Sequence, residues 1–279
     1  MKRLLLIAGW IAGAGAASAQ TEEATPRREA LPLWELGVAA GGLSQQAYPG
    51  SDQQARRVLA LPYLVYRGKV LRAEGGSAGL RTVRTERFEL DVSFAGSLSS
   101  GSESLRAREG MARLGTLVEA GPVARWFLNG RSASDRISLE LPVRGVFEAR
   151  DPRRHRGMTL EPELSWQRRP QAGGWGYGLS VGALFGDRRM GSTFYGVAPG
   201  EARPDRPAFD ARAGLIAWRL GARAATHLTP DLRLFAFGRL DSLAGAANRD
   251  SALVRRTTGI SYGIGLTYTL KRSAASAND

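Results

Sequence analysis

Bulky apolar residues alternate with small or polar residues in many segments of the chain. The longest such segment runs from Gly259 to Leu270. Its bulky positions are Ile260, Tyr262, Ile264, Leu266, Tyr268 and Leu270. Successive side chains of a strand point to opposite faces, so these six residues form one continuous apolar face. A tilted strand of about 9 to 11 residues crosses a bilayer. The segment therefore predicts a membrane-spanning β-strand.

The same two-residue period occurs in other segments, which together predict an all-β, antiparallel transmembrane β-barrel. Eleven strands are predicted at Leu33–Gly42, Arg57–Tyr66, Lys69–Val83, Arg87–Leu98, Thr116–Leu128, Ile137–Arg144, Met158–Trp166, Trp175–Phe185, Arg212–Thr226, Leu232–Asp241 and Gly259–Leu270. Single-chain bacterial barrels normally have an even number of strands. A twelfth strand is expected at Ser192–Val197, and ten strands are the alternative. A soluble β-sandwich or lipocalin-like barrel would show the same alternation.

The first residues predict export and favour the membrane alternative. Lys2 and Arg3 precede an apolar run, and Ala17-Ser18-Ala19 resembles a signal-peptide cleavage site, so cleavage is expected before Gln20. The expected organisation is a signal peptide at 1–19, a short periplasmic segment at 20–32, a barrel at 33–271 and a polar tail at 272–279. There is no cysteine for a lipid anchor or for thiolate chemistry. The expected location is the outer membrane of a Gram-negative cell.

Net charge is +13, almost entirely from arginine, and many arginines fall in the longer connections. In bacterial barrels the short turns face the periplasm and the longer loops face outward. The expected periplasmic turns are Asn129–Asp135, Arg169–Gly174 and His227–Asp231. The expected outer loops are Ser97–Gly115, Ala149–Arg156, Asp187–Asp210 and Ser242–Arg256. Guanidinium groups match phosphate geometry, so contact with lipopolysaccharide is expected from Arg150, Arg153, Arg154 and Arg156. An ordinary solvated loop surface is the alternative.

Charged residues on the opposite strand face predict a charged lumen. The acidic candidates from the middle strands are Glu89, Asp91, Glu140, Glu161 and Glu163. The basic candidates from later strands are Arg219, Arg223, Arg233 and Arg239. If the two sets pair across the lumen, the pore is narrow or plugged, because buried charges require partners. If they do not pair, the barrel is a wet channel with an acidic wall opposite a basic one.

Catalytic motifs are scarce. His155 and His227 are the only histidines, and the sequence contains no G-x-S-x-G elbow, P-loop or H-E-x-x-H motif. The interpretation is a protein that is not an enzyme and needs no cofactor or metal. An outer-membrane lipid-modifying enzyme that uses one of the two histidines is an alternative. The absence of a nucleic-acid-binding motif, together with export, argues against a nucleic-acid partner.

Short motifs along the mature chain resemble the MipA/OmpV family of Gram-negative outer-membrane proteins. They include Trp34-Glu35-Leu36-Gly37, Tyr48-Pro49-Gly50-Ser51-Asp52, Leu61-Pro62-Tyr63, Arg106-Ala107-Arg108-Glu109-Gly110-Met111, Phe194-Tyr195-Gly196-Val197 and Trp218-Arg219-Leu220-Gly221. The resemblance implies a β-barrel scaffold for the murein-synthesising and murein-degrading machinery. The implied partners are a lytic transglycosylase, as in MltA-interacting protein, and a murein synthase. Other family members are treated as permeability proteins, so a passive small-solute channel is the alternative. No site residues come with the resemblance.

Overall fold

The chain is an antiparallel sheet in a computed structural model that describes residues 32–68, 71–74, 77–97, 105–170 and 174–277. The expected signal peptide and residues 20–31 lie outside these ranges. The strands are β1 (Trp34–Gln46), β2 (Gln54–Arg67), β3 (Leu71–Glu74), β4 (Ser77–Arg84), β5 (Phe88–Ser97), β6 (Leu117–Phe127), β7 (Asp135–Glu148), β8 (Asp151–Leu160), β9 (Glu163–Arg168), β10 (Gly176–Gly186), β11 (Gly214–His227), β12 (Leu232–Ser242) and β13 (Thr258–Arg272). Helix α1 (Arg188–Tyr195) and short 3-10 turns at Arg106–Arg108 and Pro199–Glu201 lie in the connections.

The strand pairing runs through a full circle. Neighbouring strands pair antiparallel along the chain, and β13 pairs with β1 from Glu35↔Arg272 to Ser44↔Tyr262. Strands β8 and β9 both lie between β7 and β10 and keep one register, so they are two halves of one strand. The halves are separated at Pro162, which has no N–H to donate to a ladder. Counting them as one gives 13 − 1 = 12 strands, which confirms the predicted fold and strand number.

The twelfth strand is not where the sequence placed it. The predicted strand at Ser192–Val197 is wrong, because these residues belong largely to helix α1. Asp187 caps this helix by accepting a hydrogen bond from the Met190 backbone N–H at 2.7 Å. The extra strand comes from the segment predicted as one strand, Lys69–Val83. Residues 69–70 and 75–76 lie outside the described residues, and Leu71–Glu74 and Ser77–Arg84 are the paired strands β3 and β4.

The bulky apolar residues of the alternating segments lie on the outer face of the barrel, and the small or polar residues between them lie on the inner face. On β13 the six bulky residues from Ile260 to Leu270 are all exposed on the outer surface; Ile264, for example, is 59% exposed. Ser261, one position after Ile260, is 4% exposed and faces inward. Leu179 and Leu220 continue the exposed apolar surface on β10 and β11. Since soluble proteins bury such surface, this exterior suits a lipid bilayer.

The two ends of the barrel differ in their connections. At one end, called the turn end, the connections are short: 68–70, 85–87, 128–134, 169–175 and 228–231. At the other, called the loop end, they include 47–53, 98–116, 187–213 and 243–257. The main buried apolar cluster lies at the loop end. By the usual orientation of bacterial barrels, the loop end faces outward and the turn end faces the periplasm.

Candidate functional site: a charged lumen beneath a plug of loops

Arg125 organises a charged cluster near the turn end, called the turn-side cluster, with Glu89, Asp91 and Glu140. Strands β5, β6 and β7 are neighbours, and their register places Glu89, Arg125 and Glu140 side by side on the inner face. The Arg125 guanidinium lies 2.9 Å from Glu89 Oε1 and 3.7 Å from Asp91 Oδ2. It also binds both carboxylate oxygens of Glu140, at 2.9 and 3.1 Å. This bidentate pairing holds Arg125 in one orientation.

A second charged group, the loop-side cluster, lies closer to the loop end. Its members are Glu119, Arg144, Glu161, Arg219, Arg239 and Asp241. Asp241 is 2% exposed, and its Oδ1 lies 3.6 Å from Arg219 Nε and 3.2 Å from Arg239 Nε. Arg219 also bonds Glu161, and Arg144 Nη1 lies 3.9 Å from that same carboxylate. Three arginines and three carboxylates give 3 − 3 = 0, so the formal charges of the cluster balance.

The predicted lumen residues divide into three groups. Glu89, Asp91 and Glu140 lie together, but Arg125 of the intervening strand pairs with them, rather than the arginines of later strands. Glu161, Arg219 and Arg239 lie together in the loop-side cluster. Within the described ranges, Glu163, Arg223 and Arg233 form no ion pair, although all three occupy inward positions of their strands. The expected pairing of acidic and basic strands is therefore seen at Glu161.

Four members of these clusters were missed by sequence reasoning. They are Glu119, Arg125, Arg144 and Asp241. Glu119 and Arg125 lie on β6, where Gly121, Pro122 and the inward-facing Val123 interrupt the alternation of apolar and polar residues. The order of the strands would have identified Arg125. An arginine on a strand between two strands with inward-facing carboxylates faces a carboxylate on each side.

The connections of the loop end pack into one body that we call the loop plug, formed by residues 47–53, 105–116, 187–213 and 243–257. Tyr48 and Tyr195 lie at its centre and are 2% and 1% exposed. They share a buried cluster with inward-facing side chains such as Leu117 of β6 and Leu184 of β10. Side chains from separate strands can share one cluster only inside the ring of strands, so the plug occupies the mouth of the barrel.

Hydrogen bonds connect the separate parts of the plug. The Tyr48 hydroxyl donates to the Leu253 carbonyl at 2.7 Å, and the Tyr195 hydroxyl donates to the Pro49 carbonyl at 2.9 Å. Ser251 Oγ donates to the Tyr195 carbonyl at 2.7 Å. The aromatic rings also meet, with 6.4 Å between the centroids of Tyr48 and Tyr195. The loops on either side of the mouth therefore hold one another in place.

Two buried polar groups secure the remaining parts of the plug. Arg206 is 3% exposed and donates to the carbonyls of Ala107, Glu109 and Glu201 at 2.8 to 3.0 Å. Asn248 donates to the Arg212 carbonyl and accepts from the Arg212 N–H, both at 2.8 Å. Each side chain forms hydrogen bonds with backbone groups that have no strand or helix partner in these irregular segments. The plug is thus a folded element with its own hydrogen-bond framework.

Burial perturbs the titration of the plug. It raises the pKa of Tyr48 to about 12, with nearby Arg108 opposing the shift. It also raises the pKa of Tyr195 well above its ordinary value. Burial lowers the pKa of Arg108, which donates to the Phe194 carbonyl at 3.1 Å. Both tyrosines are therefore held in the protonated, hydrogen-bond-donating form.

Neither histidine forms part of a catalytic triad in the described part of the chain. Arg189 lies 3.1 Å from His155 Nδ1 and donates to it, and the Phe147 ring lies 5.3 Å from the imidazole. His227 ends strand β11 and is exposed. Over the same ranges, no group of three or more His, Cys, Asp or Glu side chains is placed to hold a metal ion. None of the helices in the described ranges has the length and hydropathy to cross a membrane.

The four arginines expected to contact lipopolysaccharide are not all on a loop. The connection between β7 and β8 is only Ala149–Arg150, so the predicted outer loop Ala149–Arg156 is wrong. Arg153, Arg154 and Arg156 lie on strand β8. Arg154 pairs with Asp151 at 3.2 Å, and Arg156 pairs with Glu148 at 2.6 Å. Two of the four charges are therefore already neutralised.

A closed antiparallel sheet with an apolar exterior and a charged interior defines the protein as an outer-membrane β-barrel. Residues 38–270 match the family model described as MltA-interacting protein MipA. The chain belongs to this family, as its sequence motifs predicted.

Solved structures with a similar chain path include outer-membrane barrels. A NanC porin is 11% identical, with a TM-score of 0.43, over 84% of this chain and 100% of the porin. An outer membrane channel from Pseudomonas putida F1 is 10% identical, with a TM-score of 0.35, over 86% of this chain and 96% of the channel. No curated protein matches the sequence.

Proposed function

We propose that this barrel is a non-enzymatic scaffold for the murein machinery, with its protein partners bound at the turn end. The observation that carries the proposal is the loop plug. A hydrogen-bonded body in the outer mouth suits a barrel that anchors other proteins better than one that passes solutes. The family name supports a lytic transglycosylase as one partner, and a murein synthase is proposed as the second.

The turn end supplies an ordered surface for such a partner. Glu86 Oε1 accepts hydrogen bonds from the Ser132 N–H at 3.1 Å and the Ser132 hydroxyl at 2.7 Å. These bonds lower the pKa of Glu86. Arg169 Nη2 donates to the Arg131 carbonyl at 2.9 Å. Three consecutive turn-end connections are thereby joined, so a docking protein would meet a surface that needs little ordering.

Capture of a purified MltA-type lytic transglycosylase by the immobilised barrel tests the scaffold. We expect Glu86→Lys to weaken capture by about tenfold or more, because it reverses a charge and breaks the bonds that join two turns. Glu109→Lys makes the same change on an exposed loop-end residue and is the control. Equal capture by the wild type and both variants would show that this surface is not the docking site, and no capture by the wild type would refute the scaffold.

A passive channel is the second candidate, favoured by the exposed inward-facing side chains of Arg223 and Arg233. Exposure at inward positions supports a solvated lumen at the turn end. The two functions differ in single-channel recordings. A scaffold closed by its plug is silent, whereas a channel gives discrete steps that change with Arg223→Ala.

Lipopolysaccharide contact by Arg150, Arg153, Arg154 and Arg156 is also proposed. Replacement of all four by Ser is expected to reduce the lipopolysaccharide that co-purifies with the barrel. Unchanged co-purification would show that these four arginines do not bind lipopolysaccharide. Cleavage of the signal peptide before Gln20 is likewise proposed, and the N-terminal sequence of the mature protein checks it.

A further inference from the structure

An open cavity of about 810 Å³ lies on the outside of the barrel where the loop 243–257 meets the loop 47–53. Its lower wall contains Leu240 and Ile260, which are directly paired across β12 and β13. Both side chains are exposed on the outer apolar surface. They lie two residues inside the strand ends, or roughly 7 Å below them at about 3.3 Å per residue. This part of the cavity faces the acyl region of a membrane.

The upper wall of the cavity carries three arginines, Arg249, Arg255 and Arg256. All three are exposed, and over the described residues none forms an ion pair. Asp52 and Asp250 also line the cavity, and Arg106 lies 3.3 Å from Asp52. The four arginines and two carboxylates give 4 − 2 = +2. An anionic group is therefore favoured above the apolar wall.

The backbone holds these arginines in place. The N–H groups of Arg255 and Arg256 both donate to the Gly50 carbonyl, at 2.7 and 3.0 Å. Gly50 has a φ of +92°, a conformation that L side chains rarely adopt. The adjacent Leu253 carbonyl accepts the Tyr48 hydroxyl. The arginine segment is thus attached to the loop plug rather than left as a free surface loop, which reduces the ordering that binding requires.

We propose that this cavity binds a phosphorylated acyl lipid of the outer leaflet, with the phosphate on Arg249, Arg255 and Arg256 and an acyl chain against Leu240 and Ile260. Three features favour this occupant. The charged wall lies above the apolar wall, as headgroup lies above chain in a leaflet. Guanidinium groups bind phosphate with directed hydrogen bonds. The unpaired state of these arginines distinguishes them from Arg154 and Arg156, which are held by carboxylates.

Native mass spectrometry of the detergent-purified barrel with added lipid A tests the site. The triple variant Arg249→Gln, Arg255→Gln, Arg256→Gln is expected to bind lipid A at least about tenfold more weakly, because charge-assisted hydrogen bonds are lost. The charge-matched control is Arg113→Gln, Arg188→Gln, Arg212→Gln, which replaces three exposed arginines at the same end of the barrel. It should retain most of the binding. Heat-modifiable migration confirms that each variant is folded.

Two further ligands distinguish the source of the phosphate. Dephosphorylated lipid A should bind as weakly to the wild type as lipid A binds to the triple variant. Inorganic phosphate should not displace lipid A, because it lacks the chain that contacts Leu240 and Ile260. Equal losses in the triple variant and its control would assign binding to rim charge in general and overturn the proposal. Full displacement by inorganic phosphate would also overturn it, since the site would then be a simple anion site. Neither readout depends on the scaffold function.

Discussion

The loop plug should come apart in alkaline solution, because two of its central hydroxyl groups must stay protonated. Tyr48 has a pKa raised to about 12 by burial, against an ordinary value of about 10. A group whose folded pKa is raised contributes stability below its unfolded pKa and loses it as the pH rises toward the folded pKa. The window for Tyr48 is therefore about pH 10 to 12. A pKa raised from about 10 to about 12 corresponds to about 3 kcal/mol of plug stability lost across that window.

Tyr195 acts in the same direction, because burial also raises its pKa. A tyrosinate cannot donate a hydrogen bond to a carbonyl. Deprotonation of Tyr195 would therefore place a buried negative charge next to the Pro49 carbonyl oxygen, which is unfavourable. Opening of the plug is the alternative, because it returns both hydroxyl groups to water. We expect the plug to open before these tyrosines ionise inside it, while the strands remain paired.

Tyrosinate absorbance, followed with rising pH, measures the effect. The part of the absorbance change that comes from Tyr48 and Tyr195 should appear at higher pH in the folded barrel than in the denatured chain. Tyr48→Phe should remove the contribution of Tyr48 to this delay. Tyr177→Phe, which changes a half-exposed residue on the outer surface, is the control and should leave the delay from Tyr48 and Tyr195 intact.

Single-channel recording over the same pH range supplies the structural readout. A barrel that is silent at neutral pH and conducts above about pH 10 would match loss of the plug. If the folded and denatured titrations coincide, the two hydroxyl groups are not buried as described, and the reasoning from burial fails.

Three other changes have definite expected outcomes. Arg125→Met removes a cation shared by three carboxylates and should lower the unfolding free energy by about 3 to 5 kcal/mol in urea titrations. Arg168→Met, in an exposed pair, should lower it by at most about 1 kcal/mol. Arg206→Leu removes three hydrogen bonds within the plug, so limited proteolysis should cleave the loop-end connections much faster while the strands stay protected. Ile264→Arg at mid-strand should cost about 2 to 4 kcal/mol in folding into vesicles, whereas Leu270→Arg near the strand end should cost about 1 kcal/mol or less; equal costs would contradict a lipid-facing surface.

Much of the fold could be predicted from the sequence because a barrel wall has a simple period. On β13, every bulky residue from Ile260 to Leu270 faces outward, and alternation alone is enough to find it. The segment Lys69–Val83 shows where alternation fails. Alternation predicts one strand there, although Gly75-Gly76 in its middle is a two-residue turn signal. The turn signal and the required even strand number together point to a hairpin.

The loop end was harder to predict because its order comes from contacts between distant residues. The sequence pattern predicts a strand at Ser192–Val197, which overlaps the end of helix α1. Asp187 three residues before Met190 is nevertheless a helix-start signal, and Met190 and Phe194 have helical spacing. The Tyr48–Leu253 and Tyr195–Pro49 bonds join residues far apart in the chain. No local sequence pattern predicts such bonds. The sequence therefore predicts long loops at this end but not their packing into a plug.

The charged lumen was predicted in part for a related reason. Alternation identifies which side chains face inward, and Glu89, Glu140 and Arg219 were found in this way. It does not show which strands are neighbours of a given charge. Arg125 is the partner of three predicted carboxylates because β6 lies between β5 and β7, and that follows only from the strand order.

The pairing of β13 with β1 has a consequence for how the protein is made. All other neighbouring strands are close in sequence and can form hairpins as they emerge, whereas this seam joins Val38 to Tyr268, the two ends of the wall. The edge of β1 therefore stays unpaired until β13 pairs with it. An unpaired strand edge can pair with other chains. Assembly is expected to end in one closing event, so a shortened chain without β13 should aggregate or be degraded rather than form a smaller barrel.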